Sequence, residues 1–96
     1  MERILVCTRD VTVNLETGLH MGPCAQIVQV AQKHQCELRI RKGDRVVDGT
    51  SMLDLLTLAA EHRTVLNLET RGELAQEALD ALIGLFERNF ELDGAA

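Results

Sequence analysis

The hydrophobic period of this chain switches repeatedly between two and about 3.6, and each switch marks a change of element. Val11, Val13 and Leu15 alternate with Thr12 and Asn14, the sign of a half-buried strand that Thr17 and Gly18 interrupt. From Met21 onward Cys24, Ile27, Val28 and Ala31 fall on one helical face, with Gln26, Gln29, Gln32 and Lys33 off it. Cys36, Leu38 and Ile40 then alternate with Glu37, Arg39 and Arg41. Gly43-Asp44 supplies a turn and Arg45 to Asp48 return, which predicts a hairpin. Ser51 is suited to cap a short second helix, with Asp54 three places on as an approximate capping box. Leu66 and Leu68 alternate with Asn67 and Glu69 in a further strand. A last helix is expected from Glu73 to Phe90, its stripe formed by Ala75, Ala78, Leu79, Leu82, Ile83, Phe86 and Phe90, before a frayed tail over residues 91–96.

The resulting order, β-α-β-β-α-β-α, predicts an α+β fold. It is a four-stranded, mostly antiparallel sheet with three helices on one face, while Arg39, Arg41, Thr12 and Asn67 meet water on the other. The 96 residues suit a single domain, with its core at about residues 7–88. Phe86 and Phe90 are the only aromatics, so the core must be aliphatic. A net charge of −5 and the lack of stacking aromatics argue against a nucleic-acid partner. The cluster Arg39, Arg41, Lys42 and Arg45 reads as a solvated strand face. An odd set of three cysteines without paired spacing suits a reducing cytoplasm. No apolar run is long enough for membrane insertion.

The only proline, Pro23, stands three places after His20. Proline is favoured in the first turn of a helix, where a missing N–H costs nothing, so a helix should begin near Met21 with His20 at or beside its N-cap. The N–H groups of Met21, Gly22 and Cys24 are then expected to lack intrahelical partners and to face an anion. A neutral imidazole there has a lone pair and can act as a nucleophile. A phosphoryl group taken up by it would lie over those amides. From these residues alone, a plain exposed histidine in a capping region is the commoner explanation of the pattern. A metal site finds little support: His20 and Cys24 are four apart and Cys36 could approach, but no second ligand pair has zinc spacing. No Ser or Cys is placed with a base as a catalytic triad requires.

The stretch from Thr17 to Phe86 resembles HPr, the family of histidine-containing phosphocarriers of the bacterial sugar phosphotransferase system. Gly18, Leu19, His20 and Pro23 match the family pattern Gly-[Leu/Ile]-His-Ala-Arg-Pro in register. Ser51, Met52 and Leu53 match its second motif, and Leu58, Thr64 and Gly72 agree as well. The resemblance implies an open-faced sandwich and a phosphoryl-transfer component rather than a stand-alone enzyme. It implies that His20 accepts phosphate through Nδ1 from phospho-enzyme I and passes it to a sugar-specific phosphotransferase A component or a regulator, with no cofactor or metal and as a monomer. Met21, Gly22 and Cys24 would steady the phosphate by their amides. Met52, Leu53 and Leu56 would form a docking patch, with plain core packing as the other reading. Ser51 would be the site used by HPr kinase/phosphorylase, or simply a cap. The departures are Gly22 at the place of an arginine that contacts phosphate and partner, Met21 for a small residue, Cys24 for an alanine, and Arg63 for a turn glycine. They leave room for a regulatory HPr-like protein acting through His20 or Ser51 outside sugar transport, and for a non-catalytic binding module on the same fold.

Overall fold

A computed structural model describes residues 4–91. Its elements are β1 (Leu5–Thr12), α1 (Met21–Lys33), β2 (Glu37–Lys42), β3 (Arg45–Asp48), α2 (Met52–Thr57), β4 (Val65–Gly72) and α3 (Ala75–Glu87), the order expected from the sequence. The strands form one sheet in the order β1-β4-β2-β3, antiparallel at every junction. Lys42 pairs with Arg45 across the two-residue loop Gly43-Asp44, and Gly43 takes the positive φ of +59° that such a tight reversal demands. β4 enters between the first two strands, pairing Val11 with Leu66 on one side and Ile40 with Leu68 on the other.

Strand alternation sends Leu38, Ile40, Leu66, Leu68 and Thr70 to one face, where they are buried with Val11 and Val13. The helices cover this face. Cys24, Ile27 and Ala31 of α1, Leu55 of α2, and Leu79, Leu82 and Phe86 of α3 complete the core. Thr70 is the one polar residue buried there among the described residues, and its hydroxyl is satisfied by donating to the Ala75 carbonyl at 2.8 Å. On the uncovered face, register places Thr8, Glu69, Arg39 and Asp48 in one row across the sheet. Charges alternate in sign along it, which keeps that face wet without self-repulsion. Asn67 donates to the Asp10 carboxylate at 2.9 Å in the next row. The described residues contain no helix long and apolar enough to cross a membrane.

Three local expectations are corrected. The last helix runs from Ala75 to Glu87, not from Glu73 to Phe90, and the acid in its first turn is Glu77. Past the Arg88 cap, Asn89 and Phe90 adopt left-handed φ of +55° and +61°. The Phe90 N–H reaches the Leu85 carbonyl at 2.8 Å and the Asn89 N–H reaches that of Phe86 at 3.2 Å, a Schellman-type stop. This turn folds the Phe90 ring back onto Phe86, edge to face at 4.9 Å, so Phe90 keeps the apolar period without being helical. At α2 the capping box is only half formed. Ser51 Oγ accepts from the Asp54 N–H at 3.3 Å, whereas the Asp54 carboxylate accepts from the Asp48 N–H at 3.4 Å instead of turning back to Ser51. Cys36 is buried but precedes β2. The frayed tail expected for residues 91–96 lies, apart from exposed Glu91, outside the described residues.

Arg63 confirms a site where glycine fits better. Its φ is +72°, its side chain is exposed, and its N–H donates to the Val13 carbonyl at 2.7 Å. A left-handed conformation costs an L residue about 1–2 kcal/mol, and the greater unfolded freedom of glycine offsets part of that. Arg63→Gly therefore raises stability by about 0.5–1 kcal/mol, several degrees in Tm, measurable by urea and thermal unfolding.

Candidate functional site

The segment leading into α1 is held by backbone. Gly18 closes a turn by donating to the Leu15 carbonyl at 2.9 Å, with a φ of +73°. It lies so close to the loop after α2 that a Cβ would come within 2.6 Å of the Ala60 carbonyl oxygen. That same oxygen accepts the Leu19 N–H at 2.8 Å. Leu19 is buried, and the next residue, His20, emerges into solvent.

His20 is the N-cap of α1, with extended backbone (φ −107°, ψ −169°) and no side-chain capping bond. Its ring is therefore not committed to satisfying its own helix. Among the described residues, the N–H groups of Met21 and Gly22 have no hydrogen-bond partner, and both residues are exposed. Pro23, in the first turn as expected, has no N–H. The Cys24 N–H is not free: it donates to the His20 carbonyl at 3.0 Å as the first intrahelical bond. The expectation that its amide is unpaired is corrected on that ground. Its side chain points inward and is fully buried, and burial pushes its thiol above the ordinary range, so it does not join His20 in a metal site. A Cβ added at Gly22 would meet only His20 Cε1, at 4.0 Å, so the space beside the ring is open.

α2 packs beside α1 and divides the remaining candidates. Met52 is half-buried against the core, whereas Leu53 is 75% exposed and Leu56 36% exposed. Leu53 and Leu56 are three apart and share the outer face, while Leu55 fills the core. Ser51 caps the start of α2, and it is the end of α2 that adjoins Leu19. Ser51 and the Ala60 carbonyl that holds Leu19 therefore flank opposite ends of the six-residue helix α2. Around Ser51, the Asp48 carboxylate accepts from the Thr50 N–H at 2.9 Å and its hydroxyl at 2.6 Å, which together lower the Asp48 pKa from 3.8. Sequence reasoning missed Ala60, whose backbone oxygen carries no residue-type signal, and Lys42, whose ammonium donates to the Leu58 and Ala59 carbonyls.

The fold and the site define an open-faced α+β sandwich that presents one exposed histidine over the free amides of a helix start. The chain matches the family described as "PTS HPr component phosphorylation site" over residues 7–88. It is 37% identical to the phosphocarrier protein HPr of Pseudomonas aeruginosa over 83 residues, covering 85% of this chain and 92% of that one. It is 36% identical to the HPr-like protein Crh of Halalkalibacterium halodurans over 80 residues, 83% of this chain and 95% of the other. A solved HPr-C-His structure from Thermoanaerobacter tengcongensis superposes with a TM-score of 0.84 at 30% identity, covering 90% of this chain and 99% of its own. The chain belongs to the HPr family.

The Asp48 turn gives a pH dependence with a definite sign. A carboxyl held below its unfolded value contributes stability that is complete above that value, near 3.8, and is lost as the pH falls through the lower folded value. Asp48→Asn therefore destabilises at neutral pH, and the difference from wild type vanishes in strong acid. Urea unfolding of both proteins across that range checks it.

Proposed function

We propose that His20 is the phosphoryl acceptor of a phosphocarrier, taking phosphate from phospho-enzyme I and passing it to a sugar-specific phosphotransferase component or a regulator. The observation that carries this reading is the exposed, uncommitted ring beside two free backbone N–H groups. The Nδ1 lone pair attacks phosphorus as the donor's P–N bond breaks, and the donor nitrogen keeps that electron pair. The other ring nitrogen carries the proton. The transferred group then lies at the start of a 13-residue helix, where the Met21 and Gly22 amides and the helix dipole favour its negative charge.

Docking is assigned to Leu53 and Leu56 together with exposed Met21, with Met52 supporting them from the core side. A carrier needs an apolar surface that several partners can grip weakly and release. All groups named here come from one chain, so a monomer suffices, as a single domain in the cytoplasm where the donor is charged. The regulatory version has one specific observation in its favour. Residue 22 supplies no cation to phosphate or partner, which weakens the sugar-transport role more than a signalling one. In that version Ser51, accessible at the cap of α2, takes phosphate from an HPr kinase/phosphorylase.

The deciding experiment incubates the protein with phosphoenolpyruvate and its cognate enzyme I. Uptake of acid-labile, alkali-stable phosphate that His20→Ala abolishes is expected. No uptake with a competent donor would leave a binding module, and acid-stable phosphate lost in Ser51→Ala would favour the regulator. The open space at Gly22 supports a second measurement. Gly22→Arg adds a charge-assisted contact of about 1.5–3 kcal/mol, so transfer from a donor accustomed to an arginine there rises about tenfold or more. An unchanged rate would remove residue 22 from the account.

A further inference from the structure

We propose that Lys42 is a positioning residue for His20, acting through the end of α2 and the backbone of Leu19. The inference rests on His20 being the acceptor, because only then does its placement matter to a reaction. Lys42 is the last residue of β2, far from His20 in sequence, and its side chain is partly buried. Its ammonium donates to the Leu58 carbonyl at 3.2 Å and to the Ala59 carbonyl at 2.9 Å. These oxygens end α2, where carbonyls have no intrahelical partner and carry partial negative charge. A lysine is matched to both needs at once.

The tie falls where the chain requires restraint. Ala59 has a φ of +51°, a conformation alanine rarely adopts and that surrounding bonds must enforce. Directly after it, Ala60 offers the carbonyl that holds the Leu19 N–H at 2.8 Å and packs against Gly18. A shift of the Leu58–Ala60 backbone would therefore move Leu19, and with it the N-cap residue that follows. The path runs from the end of the interior strand β2 through Lys42 to Ala59, across one peptide to Ala60, over one hydrogen bond to Leu19, and on to His20. Every link is a hydrogen bond or a covalent neighbour, and none depends on the docking face formed by Leu53 and Leu56.

The test uses full-length protein, with Lys42→Met keeping the aliphatic stem and Lys42→Arg restoring the donor. Thr70→Val serves as a comparison, since it removes a buried hydroxyl bond to Ala75 far from this path and lowers stability without touching it. Two quantities are read at a temperature where all variants are folded: the hydrogen-exchange rate of the Leu19 amide, and the kcat and KM of phosphoryl transfer from enzyme I. Lys42→Met is expected to speed Leu19 exchange relative to the Val13 amide. It should also lower kcat on the order of tenfold with KM for enzyme I unchanged, as loss of alignment without loss of docking requires. Lys42→Arg restores both, and Thr70→Val alters neither. If Lys42→Met leaves Leu19 protected and kcat at the wild-type value while wild-type protein accepts phosphate, the positioning role is overturned and the carrier reading stands. If wild-type protein accepts no phosphate, the carrier reading and the positioning role for it fall together, and unchanged Leu19 exchange in Lys42→Met would remove the mechanical tie as well.

Discussion

The hydrogen bond from the Leu19 N–H to the Ala60 carbonyl joins the two segments on which the rest of the site depends. One is the turn that leads from β1 into α1. The other is the loop that leads from α2 into β4. Both must cross the same end of the sheet, because β1 and β4 are neighbours there and their ladder continues past the strands. The Val13 N–H donates to Thr64 and the Arg63 N–H donates to Val13. Crossing at such short range leaves no room for a Cβ at residue 18, so the glycine before the histidine is a packing requirement as well as a conformational one. The histidine is thereby delivered to the N-cap by backbone bonds, and its ring is left unoccupied.

That separation of duties explains a cap without a capping bond. Most helices recruit a Ser, Thr, Asp or Asn side chain to satisfy their first N–H groups. α2 follows that rule through Ser51, and α1 does not. The cost of leaving Met21 and Gly22 unsatisfied is reduced by exposure, since water serves both amides, and by Pro23, which removes one donor outright. A start that is cheap to leave open in water is also one that an anion can enter by displacing only water.

Much of this was legible in the sequence, for reasons that differ by element. Pro23 dated the start of α1 to Met21 because proline tolerates few helical positions. The hairpin was legible because Gly43-Asp44 separates two alternating runs. The end of α3 was not, because Phe90 continues the apolar period across a Schellman turn, and periodicity registers which side chains are buried rather than how the backbone brings them there. The Cys24 amide was misassigned for a simple geometric reason: it is the fourth residue of the helix, and the N-cap carbonyl reaches it. Ala60 and Lys42 were invisible because a carbonyl has no sequence signature, and a lysine at a strand end looks like any solvated charge until tertiary structure supplies its acceptors.

The absence of a side chain at residue 22 has a consequence for a carrier that is distinct from speed. On the phosphocarrier reading, the phosphoryl group at His20 is held by two backbone amides and the field of one helix. A charge-assisted contact from an arginine would add about 1.5–3 kcal/mol to that hold, and each 1.4 kcal/mol is a factor of ten in the equilibrium between donor and carrier. Without it, the loaded carrier lies one to two powers of ten further toward release, by the same arithmetic. An intermediate that must both accept and surrender the same group works best when neither neighbour is strongly favoured. The glycine at 22 therefore suits a chain whose next acceptor is a poor one or whose donor is a strong one. The partner, rather than this chain, then has to bring the cation that the transferring phosphate needs, and the open space beside the His20 ring leaves room for it.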